Sequence, residues 1–138
     1  MPGYRIESYS DPHYEAAVAL WESTNLARVD REDIAGIYAH GGRLVLARDK
    51  KTGQVIGTAM WTFDGERAIV RRVAVHVDYR RRGVAVAMME EARRQMREAG
   101  VKRALLFMEQ DNAAACSLYT QLGWRVYYSD IQSWIIVP

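Results

Sequence analysis

Apolar positions along the chain recur with two periods, near 2 and near 3.6, and the switches between them delimit strands and helices. Tyr4 to Tyr9 reads as a short first strand. Asp11-Pro12 then opens a helix, with Asp11 as N-cap and Pro12 at the first helical position, where a missing N–H costs nothing. Tyr14, Ala17, Val18 and Trp21 fall on one face of that helix. Asp30 caps a second helix with Ile34, Ile37 and Tyr38 on its apolar side, and Gly41-Gly42 stops it. Leu44 to Arg48, Gln54 to Thr62 and Arg67 to Val77 follow as three strands, the last two joined through Asp64-Gly65, a strong hairpin signal. The third strand carries Ile69, Val73, Val75 and Val77 on one face by this reading. A long helix from about Gly83 to Ala99 has Val84, Ala85, Met88, Met89, Ala92 and Met96 as its stripe, with Gly100 as its stop. Ala104 to Met108 is a short apolar strand. Asn112 caps a last helix whose inner face is Ala115, Leu118, Tyr119 and Leu122, and Gly123 ends it. Arg125 to Ser129 and Gln132 to Val137 close the chain as strands.

The order β-α-α-β-β-β-α-β-α-β-β predicts an α/β (α+β) fold with a mixed, mostly antiparallel central sheet flanked by helices. The unit from Val73 to Met108 should be a right-handed crossover between parallel strands. At 138 residues, 49% of them apolar, the chain is expected to form a single domain, 1-138, with a real core. A formal net charge of +2 argues against a nucleic-acid binder, which usually concentrates a large basic excess on one face. Cys116 is the only cysteine, so no internal disulfide can form. No signal-peptide pattern and no run approaching the roughly 18 apolar residues of a membrane span are present, so a cytoplasmic location without membrane partners is expected.

The chemistry concentrates where the longest strand meets the longest helix. The first turn of a helix has free N–H groups and a partial positive charge, which together bind phosphate if the backbone can approach closely. Gly83 and the small Ala85 permit that approach, and Arg80, Arg81 and Arg82 add cationic charge beside it. The same residues would also make an ordinary solvated turn. A Walker loop is excluded because no Gly-Lys-Ser/Thr occurs, and a dinucleotide fold because this turn holds only one glycine and the upstream strands are antiparallel.

Val75-His76-Val77-Asp78-Tyr79-Arg80-Arg81-Arg82-Gly83-Val84-Ala85 resembles the core motif of the GCN5-related N-acetyltransferase (GNAT) family, in which a strand feeds R/Q-x-x-G-x-G/A at a helix start. Asn112 to Trp124 resembles that family's second motif, N-x-x-A-x-x-L-Y-x-x-x-G-F/W. The two matches stand in the right order, one helix and one strand apart. Asp64-Gly65-Glu66-Arg67 is similar to the corresponding segment of small bacterial single-domain members. Two departures are Val77, where many relatives have proline, and Ala85, where many have glycine.

The resemblance implies an enzyme that moves an acetyl group from acetyl-CoA, its co-substrate, to an amine on a small molecule, protein or peptide, with no metal. It implies that the strand ending at Val77 and the strand near Met108 splay apart to admit the pantetheine arm. Main-chain groups of Val75 and Val77 would bond that arm, the Val75 amide meeting the thioester carbonyl. The amides of Arg82, Gly83, Val84, Ala85 and Val86 would hold the pyrophosphate, with Arg80 or Arg81 outside. Asn112 would reach the pantetheine, and Tyr119 would protonate the departing thiolate, although its spacing also suits a core tyrosine. Glu109 is a candidate base, with Asp64 and Glu66 as others. Trp21, Asn25 and Leu26 would border the acceptor. Arg71 and Arg72 are unusual inside a strand, and either face the substrate or pair with nearby acids. His76 and Cys116 read as structural. A non-catalytic acyl-CoA-binding module is the alternative on the same fold. The aromatic C-terminal strand, Trp134 to Val137, is a candidate edge for pairing with a second copy in a homodimer.

Overall fold

The structure is a computed structural model and describes residues 2–109, 113–129 and 133–137. The strands are β1 (Tyr4–Ser8), β2 (Arg43–Asp49), β3 (Val55–Phe63), β4 (Arg67–Val75), β5 (Arg103–Glu109), β6 (Arg125–Ser129) and β7 (Ser133–Val137). The helices are α1 (Tyr14–Ser23), α2 (Arg31–Ala39), α3 (Val84–Ala99) and α4 (Ala113–Gln121). All seven strands form one sheet in the order β1-β2-β3-β4-β5-β7-β6. Every neighbouring pair is antiparallel except β4 and β5, which run parallel as the crossover through α3 requires. The expected mixed, mostly antiparallel sheet is therefore present.

Alternation along the strands divides the core in two. Val45 and Ala47 of β2, with Ile56 and Trp61 of β3, meet Val84, Met88, Met89, Ala92 and Met96 of α3. Leu44, Leu46 and Met60 point the other way, onto Tyr14, Val18 and Trp21 of α1 and Ile34 of α2. Gly57 lets α3 lie close, because a Cβ there would sit 2.9 Å from the Met88 sulfur.

The structure corrects several boundaries. Asp11 is not a helix cap: Ser10 holds that position on a 3-10 turn, Asp11–His13, that leads into α1, and the Asp11 carboxylate instead accepts a 2.7 Å bond from Arg31. β4 ends at Val75, and Val77–Tyr79 form another 3-10 turn. Ile69 does not share a face with Val73 and Val75. Ala68 and Val70 do, because the β3–β4 register shifts by one residue between Thr58 and Met60. The extra residue is accommodated at Arg72, whose φ is 54°. Finally, β7 is flanked by β5 and β6, so the Trp134–Val137 segment is not a free edge.

The shift at Arg72 is held by a buried relay. The Trp21 indole N–H donates to Thr58 Oγ1 at 2.9 Å, and the Thr58 hydroxyl donates to the Arg72 carbonyl at 2.7 Å. Thr58 is fully buried. Thr58→Val keeps the shape but leaves both partners without their bond. It is expected to cost about 2–4 kcal/mol in chemical denaturation, from roughly 1–3 kcal/mol per orphaned buried group. Thr58→Ser should recover most of that loss; equal losses in the two variants would remove the hydroxyl from the account.

Candidate active site

β4 and β5 stay paired only from Arg67↔Arg103 to Val70↔Leu106. Beyond that point β4 runs on to Val75, while β5 continues to Glu109 paired with β7 on its other side. The two strands thus part at Val70 and Leu106, and the β5-facing edge of β4 is left open. The His76 N–H donates to Ile56 O on the β3 side at 2.8 Å, so by alternation the N–H and C=O of Val75 face the gap. The Val75 carbonyl accepts a 3.2 Å bond from Arg80 Nε. Val77, expected to extend this ladder, lies on the 3-10 turn and is 66% exposed. It is past the strand and offers no ladder position.

The open edge leads into the N-terminus of α3. Gly83 precedes the helix in the left-handed region with φ 79°, and no side chain caps the first turn. The first helical amide bond is Ala87 N–H to Gly83 O, so the amides of Val84, Ala85 and Val86 have no partner within the helix. Val84 is buried, Ala85 and Val86 are half-buried, and Arg80, Arg81, Arg82 and Gly83 are exposed. Ala85 therefore belongs less to the core stripe than to the mouth of the turn. The turn is anchored from three directions. Tyr4 Oη donates to the Arg82 carbonyl at 3.3 Å, Arg80 folds back onto β4, and Tyr79 Oη donates to Asp49 at 2.5 Å. The Arg82 guanidinium lies over the Tyr79 ring. A left-handed turn with unbonded amides, little side-chain bulk and cationic flanks is chemically suited to a pyrophosphate.

The other expected residues separate into near and far. Tyr119 lies in the α3-side core against Trp124, with ring centroids 5.8 Å apart. Burial holds its phenol well above the ordinary tyrosine range, so it stays protonated, and its hydroxyl has no hydrogen-bond partner among the described residues. Asn112 lies outside the described residues. Glu109 ends β5 opposite Ser133, in the part that has left β4, and its side chain lies outside the description. Asp64 and Glu66 precede Arg67 at the closed end of β4, about 16 Å of strand from Arg72 at roughly 3.3 Å per residue. Asp64 is also committed to its turn: Arg67 and Glu66 amides donate to it and hold its carboxyl below the usual range. Neither acid is placed to serve the gap. Trp21 is wholly buried, so it supports the relay and cannot touch an acceptor. Asn25 is exposed with φ 60°, and Leu26 is half-buried against the α1-side core. His76 accepts from the Asp78 amide through Nδ1 and packs edge-on against Tyr79, a structural role. Cys116 packs beside the α3-side core.

The model of the acetyltransferase (GNAT) family matches residues 5–124. The chain belongs to that family. A protein named as an acetyltransferase in Pectobacterium atrosepticum is 30% identical over 123 residues, covering 87% of this chain and 86% of its own. Among solved structures, Ard1 from Thermoplasma volcanium superposes with a TM-score of 0.82 at 19% identity, covering 99% of this chain and 97% of its own. The PaiA N-acetyltransferase from Thermoplasma acidophilum, solved in complex with coenzyme A, has a TM-score of 0.80 at 15% identity, covering 99% and 98%. This GNAT protein is an acetyl-CoA-dependent acyltransferase, which sets aside a purely non-catalytic module. Among the described residues no helix is long and apolar enough to cross a membrane.

Sequence reasoning missed three features of this GNAT site. The Trp21–Thr58–Arg72 relay had one signal: apolar residues Val70 and Val73 on one strand face are separated by an odd number of steps. The Tyr79–Asp49 tether joins residues 30 apart and had no local signal. The positive φ of Arg81, at 64°, also escaped notice. Asp49 accepts from Tyr79 first, then from the Thr52 and Lys51 amides, and its carboxyl is lowered to about 2. Because the folded value lies below the ordinary 3.8, the tether is present above that range and is lost as pH falls through about 2. In Tyr79→Phe the Asp49 midpoint should move up toward 3.8 in a side-chain NMR titration. An unmoved midpoint would show that the amides alone set it.

Proposed function

We propose that this GNAT acetyltransferase transfers the acetyl group to a primary amine by direct attack. The reading is carried by one observation: an open β4 edge that leads, across the 3-10 turn Val77–Tyr79, to amides at the start of α3 with no partner in the helix. The pyrophosphate of acetyl-CoA sits on the amides of Gly83, Val84, Ala85 and Val86, with Arg82 contributing its amide and Arg81 its charge. The pantetheine arm lies along β4, and the thioester carbonyl meets the Val75 amide, a fixed donor for the developing oxyanion. Asn112 is the residue assigned to reach the arm, from its place in the second motif.

The amine nitrogen attacks the thioester carbon, the C–S bond breaks and the thiolate leaves. A neutral buried phenol is suited to return a proton to that sulfur, which assigns Tyr119 as general acid. Glu109, at the end of the diverging β5, is the base that takes the proton from the amine. Arg80 differs from its neighbours: with its side chain on the Val75 carbonyl, it shapes the strand end rather than meeting phosphate.

Ala85→Glu separates binding from folding. A carboxylate in the first turn suits the helix dipole, so stability should hold. Facing a pyrophosphate, it should raise the calorimetric Kd of CoA on the order of tenfold or more. An unchanged Kd in the folded variant would remove the phosphate from this turn. Tyr119→Phe should lower chemistry-limited turnover by about 10²-fold while CoA affinity stays near wild type. Wild-type turnover would return Tyr119 to the core alone.

A further inference from the structure

A cavity of about 420 Å³ opens on the α2 face of the sheet. Its walls come from Arg28 and Val29 before α2, Ile37 on α2, Phe63 at the end of β3, and Arg71 and Arg72 on β4. None of Trp21, Asn25 and Leu26 lines it. Its place on β4 matters, because Arg71 and Arg72 are the first residues past the last β4–β5 pair, Val70↔Leu106. The cavity therefore adjoins the point where the strands part.

Its charge is the second observation. Arg71 is half-buried and has no hydrogen bond or ion pair among the described residues. Arg72 is half-buried too, and its side-chain hydrogen bond among the described residues is to a neutral group, Nε donating to the Ala27 carbonyl at 2.8 Å. Burial and the neighbouring Arg71 both press against its charge. Arg28, at the rim, lies 4.0 Å from Asp30 and donates to Tyr14 Oη. The cavity also has a carboxylate, Asp33, which makes no ion pair among the described residues, and a histidine, His40, whose Nδ1 lies 2.8 Å from the Gly36 carbonyl. Several other arginines do find a close carboxylate: Arg31 pairs with Asp11 at 2.7 Å, Arg48 with Glu7 at 2.8 Å and Arg94 with Glu91 at 2.6 Å. Two adjacent, half-buried arginines with no ion pair among the described residues have donors left for a carboxylate. The Thr58 relay fixes the backbone beneath them, and each guanidinium offers its donors in a planar fork.

We propose that this cavity is the acceptor subsite and that the acceptor is a small primary amine bearing a carboxylate, gripped by Arg71 and Arg72. Val29, Ile37 and Phe63 supply an apolar wall for its carbon skeleton. The volume is in the range of small-molecule sites, about 300–1,000 Å³. The assignment rests on the transferase reading above, since it names the substrate of the same site.

The test is binding first and turnover second. The twenty amino acids, β-alanine and their carboxamides are titrated by calorimetry into the protein saturated with CoA. At least one acid should bind, its carboxamide at least about tenfold more weakly, because the charged hydrogen bonds are lost. Arg71→Gln should abolish that difference while CoA affinity stays at the wild-type value. No binding by any acid, equal binding of acid and carboxamide, or an unchanged difference in Arg71→Gln would each overturn the proposal. Acetyl transfer to the same panel reads the other hypothesis separately: acids that bind selectively without being acetylated would uphold the anion subsite and overturn its place in the transfer reaction.

Discussion

The carbonyl of Arg72 is turned inward and held by the Thr58 hydroxyl, and much of the site depends on that single buried bond. A non-glycine residue with φ 54° costs roughly 1–2 kcal/mol, and a satisfied buried hydrogen-bond pair offsets it. The extra residue reverses which β4 side chains face α3, so Ala68 and Val70 give way to Val73 and Val75 without leaving the core. It also coincides with the end of β4–β5 pairing, which creates the open edge. Trp21 reaches this bond from α1, so the helix on one face of the sheet fixes the geometry used along its edge.

The phosphate turn follows a related logic. Its arginines are conspicuous in the sequence, but two are engaged by the protein itself: Arg80 on the Val75 carbonyl and Arg82 over the Tyr79 ring. What stays unbonded among the described residues is the backbone, from Val84 to Val86. Tyr4 and Asp49 tether the turn to β1 and to the end of β2, segments far away in sequence. A turn restrained from three sides loses little conformational freedom when an anion arrives, which is where preorganised sites gain affinity.

The order of elements was legible because each carries its period and its stop. α3 was readable from five buried apolar residues at helical spacing and from Gly100, and the β3–β4 hairpin from Asp64-Gly65. The candidate site was legible only in part. Gly83 and Ala85 announced free amides through their lack of bulk. The bulge was not legible, because strict alternation assigned Ile69 to the same face as Val73, and one left-handed residue defeats any count of period two. Val77 was read as strand because valine favours strands, whereas the chain had already turned at His76. Trp21 looked like an acceptor contact because its position near the end of α1 was readable, while its hydrogen bond to Thr58, 37 residues away, was not.

Net charge hid the distribution that matters most. With 19 basic and 17 acidic side chains, the total of +2 suggests no special affinity for anions. Acids, however, are spent unevenly. Asp11, Glu15, Glu7, Asp64, Glu91 and Glu98 each pair an arginine or help to fix one at the periphery. Arg71 and Arg72, half-buried beside the opening of the strands, receive none among the described residues. A nearly neutral chain can thus hold two uncompensated cationic regions, one built from backbone amides and one from paired guanidiniums, on either side of a single strand. The first suits the phosphates of a co-substrate. The second is not needed for that task, and its free donors suit a second anion, the carboxylate of an acceptor.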